Sequence, residues 1–260
     1  MKKLIVTAAA ALAVAYPASA GAATLKGTVV ERLASRHVLV VAAPSGTAWS
    51  VHTTSAARVG AVVTVSATAR RDGTFSASRV AVTGRSHRAR LHGVVLQSAA
   101  GLTFLSAGRS VVLVHTGGRA LASVGDHGAK PGAVANVGVS IGANGALNAT
   151  SITTTGQANT IVIQATVTSI TPATATTAGS LTLSVNGQTL TVPLAPGMTV
   201  PATLAPGSTV TLTISFGSGG ATGTSAENDD NNDDNNENDQ GDNNDNSSSS
   251  SGGGSAHGSD

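Results

Sequence analysis

A single internal repeat limits what this chain can fold into. Leu25-Lys26-Gly27-Thr28-Val29-Val30 recurs as Leu91-His92-Gly93-Val94-Val95-Leu96, and Val51-His52-Thr53 recurs as Val114-His115-Thr116. Gly60, Gly73, Ala77, Val80 and Gly84 map onto Gly132, Gly145, Ala149, Ile152 and Gly156 at one constant offset, which chance does not supply. A third, diverged copy begins at Thr160-Ile161-Val162-Ile163 and has Pro206-Gly207 where the second has Pro131-Gly132. It stops at Phe216, without a last strand. The expected layout is a leader over 1–20, β-domains over 24–85, 90–157 and 159–216, and a Gly/Ser and Asp/Asn-rich tail over 217–260.

Inside each copy the apolar residues return at every second position, the spacing of a strand with one buried face. The run Leu181-Thr182-Leu183-Ser184-Val185-Asn186-Gly187-Gln188-Thr189-Leu190-Thr191-Val192 shows it most plainly. Asn-Gly suits a two-residue type I′ turn, because both central positions need positive φ. Pairing across that turn sets Leu183 opposite Leu190 and Leu181 opposite Val192, so one face is apolar and the other Ser/Thr. Val210, Leu212, Ile214 and Phe216 alternate with Thr209, Thr211, Thr213 and Ser215 in the same way. No stretch of the mature chain carries a helical period with caps. The pattern predicts an all-β chain with about five short strands per copy, closed into small barrels or sandwiches.

Gly27-Thr28-Val29, then Gly60-Ala61-Val62-Val63-Thr64-Val65, then Gly73-Thr74-Phe75-Ser76-Ala77-Ser78-Arg79-Val80 resembles a widespread family of exported bacterial β-domains. That family is known only as a domain of unknown function and is taken to be OB-like. The likeness spans about residues 24–216, closest in the first copy and faintest in the third. It implies three tandem five-stranded OB-like barrels, the third truncated, and an export route. Its matching positions are turn and core residues, so it carries over no catalytic residue.

Export is also legible directly. Met1-Lys2-Lys3 is basic, Leu4 to Ala15 is a short apolar run, and Ala18-Ser19-Ala20 is an A-x-A site, which together predict a signal peptide cleaved after Ala20. The run is too short for a membrane span, and no later stretch approaches about 18 apolar residues. The protein is expected outside the cytoplasm, secreted or in the cell envelope. With no cysteine, there is no disulfide scaffold, thiolate zinc site, cysteine nucleophile or lipidated leader.

Charge falls in three blocks. Residues 21–130 hold thirteen Lys and Arg against Glu31, Asp72 and Asp126. Residues 131–226 hold no charged residue and no histidine, and residues 227–260 hold ten acids and no Lys or Arg. Sheets lacking charge need another guard for their edges, and Pro172, Pro193, Pro196, Pro201 and Pro206 supply part of it. The neutral Ser/Thr face is then packed, glycosylated, or used for self-association through strand edges. In the tail, Asp and Asn oxygens suit calcium, but the spacing before Gly241 gives Asn236, Asn238 and Gln240 with no Glu downstream, so the EF-hand template fails. Such a segment cannot offset the entropy of ordering and is expected to be disordered.

Candidate chemistry is thin. Gly138-Val139-Ser140-Ile141-Gly142 fits G-x-S-x-G, but the following Ala143-Asn144-Gly145 is a turn into another strand, whereas a nucleophile elbow leads into a helix. The histidines His37, His52, His87, His92, His115, His127 and His257 lack the acids a metal centre would recruit, and His52 and His115 occupy equivalent places in two copies. Neither a metal nor a cofactor is expected. Arg70 and Arg71 mark a hairpin tip, Arg85, Arg88 and Arg90 lie around the link between the first two copies, and Arg79 joins them in a basic cluster suited to polyanions. Extracellular DNA, teichoic acid or another anionic envelope polymer would fit. Trp49, Phe75, Phe104 and Phe216 are the only mature aromatics, too few to stack bases, so sequence-specific nucleic-acid reading is not expected. The function expected is a non-enzymatic extracellular or envelope interaction module, with the acidic tail masking the basic copies. The rival readings are a ligand-free spacer and, less favoured, a hydrolase or metal-dependent enzyme.

Overall fold

The computed structural model describes residues 22–117, 130–217 and 220–229. The expected leader and the acid-rich segment from residue 230 onward lie outside the described residues. Fifteen strands and one 3-10 turn, Ala34–Arg36, are the elements that lie within the described residues. The first copy holds β1 (Ala23–Leu33), β2 (Val38–Ala42), β3 (Ala48–His52), β4 (Ala61–Ala69) and β5 (Phe75–Arg85). The second holds β6 (Arg88–Ala99), β7 (Leu102–Ala107), β8 (Ser110–His115), β9 (Ala133–Ile141) and β10 (Leu147–Gln157). The third holds β11 (Thr160–Thr171), β12 (Gly179–Val185), β13 (Gln188–Leu194), β14 (Thr209–Gly217) and β15 (Gly220–Asn228).

Each copy closes as a barrel in the same order, β1-β2-β3-β5-β4 in the first. All ladders are antiparallel except the seam between third and fifth strands, where Val51 meets Phe75 and Val114 meets Leu147 in parallel. This is the five-stranded OB-like arrangement the resemblance implies. The pleat explains the alternation: Val63, Val65 and Ala67 of β4 are buried while Thr64 and Ser66 between them are partly exposed. Across the Asn-Gly turn Leu183 pairs Leu190 and Leu181 pairs Val192, the register expected from the sequence. Asn186 and Gly187 both have positive φ, 52° and 76°.

Glycine matters most on the first strand of each barrel. A Cβ at Gly27 would overlap the Ala42 carbonyl, and one at Gly93 the Ser106 carbonyl. There the first and second strands cross too closely for a side chain. In the third copy the equivalent residue is Ala165, buried and accommodated.

The third copy is not truncated. Gly220–Asn228 forms β15, which runs antiparallel to β14 from Gly217↔Gly220 to Val210↔Asn228 and meets β13 at Leu194↔Gly223. The small, weakly apolar run Gly220-Ala221-Thr222-Gly223-Thr224-Ser225-Ala226 hides this strand from a hydropathy reading. Its inward positions are Gly223, whose missing side chain leaves room for Leu194 and Leu212, and the buried Ala226. Glu227 therefore belongs to the barrel rather than to the tail. Closure, not charge, also protects the edges of the charge-free copy, so edge-to-edge self-association has little open strand to use.

Barrels join through outward faces. Val30, Val40, Ala42 and Ala48 of the first barrel are buried in one cluster with the second barrel's Leu105, Ala107 and Val112. Leu96, Phe104, Val111 and Leu113 of the second are buried in one cluster with the third barrel's core. The second- and third-strand hairpins of the first two copies are therefore buried on both faces, which is why their strands read as continuous apolar runs.

Candidate functional site

The six arginines of the basic cluster do not come together. Arg70 and Arg71 sit at the β4–β5 tip, where Ala69 pairs Phe75. Arg79 lies within β5 opposite Ser66, and Arg85 at its far end opposite Ala61. The nine-residue strand Ala61–Ala69 separates the tip from the far end by roughly 26 Å. Arg88 and Arg90 continue on β6. Two cationic regions result, one at each end of the first barrel.

The far region is a sheet face. Along β6, Arg88, Arg90 and His92 are exposed while Leu91 between them is buried, so the two guanidiniums and the imidazole ring share the outward face at a repeat of roughly 6.8 Å. Their ladder partners on β9 are Ser140, Gly138 and Asn136. His92 Nδ1 and Asn136 Oδ1 share a 2.7 Å hydrogen bond that fixes the ring. The link from β5 to β6 is held by Ser86, whose hydroxyl donates to the Arg88 carbonyl at 2.6 Å, while its amide donates to the Gly60 carbonyl. Arg58 precedes Gly60 in the same turn and is exposed, adding a cation that the sequence reading did not single out.

At the tip, the structure brings in residues from all three barrels. Asp72 Oδ1 accepts from the Thr74 amide at 2.9 Å and the Thr74 hydroxyl at 2.6 Å, which shapes the turn, and Arg70 Nε lies 3.8 Å from Asp72 Oδ2. Burial pushes the Asp72 carboxyl up, but the two Thr74 hydrogen bonds, the Arg70 charge and a contact from Gln164 together hold it below its usual range. Gln164, buried on β11, donates from Nε2 to Asp72 Oδ2 at 3.4 Å. Arg36 of the 3-10 turn donates to the Gln164 carbonyl at 3.2 Å and to its Oε1 at 3.4 Å. The Gln164 amide in turn donates to the carbonyl of Arg109, at the β7–β8 tip. Gly73 has a φ of 81°, and a Cβ there would stand 2.6 Å from Arg109 Nε, so the missing side chain also seats that guanidinium.

A second link joins the first and third barrels. Glu31 of β1, 2% exposed, accepts a 3.1 Å hydrogen bond from Nδ2 of Asn186 at the β12–β13 tip. Burial raises its pKa from 4.5 to about 7. Sequence reasoning placed no role on Glu31, Arg36, Arg109 or Gln164, because each acts across barrels that lie far apart along the chain.

Ser140 lies inside β9, paired with Arg88 and Asn148, and its hydroxyl donates to the Asn148 carbonyl at 3.3 Å. It is a strand residue, not a nucleophile elbow. His52 and His115 end the third strands of their barrels, opposite Ser76 and Asn148. Among the described residues no three His, Asp or Glu side chains converge on a metal-sized site.

No family model and no curated protein matches the chain. Among solved structures it is similar to a multidomain protein with nucleic acid binding domains from Streptococcus pneumoniae, at 11% identity over 77% of this chain and 72% of that one. The TM-score is 0.20, too low to support any inference about ligand.

Proposed function

We propose that this protein is a non-enzymatic, extracytoplasmic interaction module that holds an anionic polymer against the outward faces of its first two barrels. The observation that carries the reading is the outward row Arg88-Arg90-His92 on β6, whose ladder partners Ser140, Gly138 and Asn136 include no acid, with Arg85 ending β5 just before it in the chain. In the first two barrels the acids among the described residues are Glu31, which is buried, and Asp72, at the opposite end of β4–β5. An unneutralised cation row along a rigid strand attracts a flexible polyanion through its repeating charge and not through bases. The scarcity of aromatics supports the same restriction. The acidic tail acts in this reading as a competitor for that face. A ligand-free spacer is the second reading, and a hydrolase the least favoured.

Binding of a phosphodiester polymer to the mature chain should weaken steeply with salt, since exposed charges are screened over about 8 Å at physiological ionic strength. Arg88→Gln with Arg90→Gln should lower the slope of log affinity against log salt by about 2. A chain ended after Asp230 should bind more tightly than the full one, and it must not be ended earlier, because β15 runs to Asn228. If neither chain binds at low salt, the spacer reading replaces this one.

A further inference from the structure

We propose that a cleft at one end of the third barrel binds the hydrocarbon chain of an uncharged amphiphile. The inference is independent of the polymer reading, whose cations lie on the first two barrels. The cleft measures about 590 Å³, within the roughly 300–1,000 Å³ of small-molecule sites. It opens between the β11–β12 link, residues 172–178, and the β13–β14 link, residues 195–208. The buried Leu204, with Ile170, Met198 and Val200 packed against the barrel core, supplies an apolar lining, and Pro172 and Pro201 stiffen the walls. The two links are tied together: the Gly197 amide donates to the Thr174 carbonyl at 2.7 Å, and the Thr174 amide to that of Thr177 at 2.9 Å. Gly179 lets the first link pass close, because a Cβ there would overlap the Thr171 carbonyl. The cleft is therefore built into the fold.

The same corner of the first barrel is closed. Between the β1–β2 link, residues 34–37, and the chain after β3, it leaves about 20 Å³. Both links are shorter there, and the Thr53 amide donates to the His37 carbonyl at 2.7 Å, drawing the walls together. Arg32 and His37 line that corner. Ladder register sets Ile170 at the place of Arg32 in the first barrel and Ser98 in the second: Arg32 lies opposite Leu39, Ser98 opposite Thr103 and Ile170 opposite Leu181. The third copy alone is apolar at this place. The open corner is also the corner without charge.

Ligand chemistry follows from that lining. None of the lining residues is charged, nor is any residue from 131 to 226, so an ionised group entering the cleft would lose water without gaining a counter-ion. No aromatic lines it, so there is no platform on which a base could stack. Aliphatic side chains and the unbranched Met198 thioether adapt to a flexible hydrocarbon chain. The Thr174 and Thr199 hydroxyls can meet a neutral head group.

The test uses the full mature chain with N-phenyl-1-naphthylamine, an uncharged fluorescent probe, displaced by 1-octanol, octanoate or octylammonium at fixed ionic strength. 1-Octanol should compete at least tenfold more strongly than either ion. From 1-pentanol to 1-octanol, each added methylene should tighten binding up to about fourfold. Ala175→Trp, which fills the cleft from an exposed position, should weaken 1-octanol binding tenfold or more. Met198→Lys should weaken it likewise and make octanoate the preferred competitor, a gain that misfolding cannot imitate. Val82→Ser removes a large exposed apolar side chain from the first barrel and should change nothing. No displacement, equal displacement by the three competitors, parental 1-octanol binding in either cleft variant, or a matching loss in Val82→Ser would overturn the proposal.

Discussion

The hairpin of the third barrel and the hairpins of the first two share one backbone plan and differ in what covers them. Aligned through the ladders Val29↔Val41, Val95↔Leu105 and Val167↔Leu183, four outward positions can be compared directly. In the first barrel they are Val30, Val40, Ala48 and Ser50, and in the second Leu96, Phe104, Val111 and Leu113, all buried. In the third barrel all four are threonine: Thr168, Thr182, Thr189 and Thr191, none of them buried. Threonine keeps the β-branched shape a strand favours and adds a hydroxyl that tolerates water. Divergence of the third copy therefore follows a change of environment, with the fold conserved beneath it. Even the exception obeys the rule, since the Ser50 hydroxyl, though buried, meets the Ser110 hydroxyl at 2.9 Å across the first interface.

The comparison breaks most easily at Phe104. Truncating it to alanine should cost about 3–5 kcal/mol in a denaturant titration, the range for a buried aromatic. Thr182→Ala, at the equivalent place in the third barrel, should cost about 0.5 kcal/mol or less. Similar losses at the two sites would mean that Phe104 is not an interface residue and that the barrels pack more loosely than described.

Next in size is the contact between the first and third barrels. Glu31 has its counterpart in Gln97 on the second barrel's first strand, directly after the same bulge. Folding favours the neutral carboxyl, whose pKa rises from 4.5 to about 7. Its contribution is complete below pH 4.5 and is lost as pH climbs through 7. A shift of that size corresponds to about 3 kcal/mol. Glu31→Gln imports the second barrel's residue and should flatten this slope, stabilising the protein at pH 8 and changing it little at pH 4.5. An unchanged pH profile of the thermal midpoint would show that water reaches the carboxyl.

These contrasts also mark what the sequence could disclose. Strand registers, the Asn-Gly turn and the three-fold repetition follow from spacing two residues apart, a local property that survives without tertiary knowledge. The fifth strand of the third barrel escaped because Gly220 to Ala226 offers no large apolar side chain, and only the groove left between β13 and β14 recruits it. The separation of Arg70 and Arg71 from Arg85 is geometric: residues close in the chain lie at opposite ends of an eleven-residue strand. Conversely, Arg36, Arg109 and Gln164 are far apart in the chain and meet only because the barrels turn back on one another. Charge blocks were legible; which charges share a surface was not.

The smallest change in stability should come from making the third hairpin resemble the others. Thr182→Val, Thr189→Val and Thr191→Val together replace three partly or fully exposed hydroxyls with methyl groups at positions that already favour β-branched side chains. Each should move stability by about 0.5 kcal/mol or less. The informative readout is the oligomeric state. In the first two copies this surface is buried against the neighbouring barrel, so an apolar version on the third should draw another molecule onto it, as extended exposed apolar patches do. Sedimentation of the triple variant at rising concentration should then show dimers where the parent chain stays monomeric. A variant that remains monomeric would mean that shape, and not the hydroxyls, keeps this face unpartnered, and that the threonines reflect strand propensity alone.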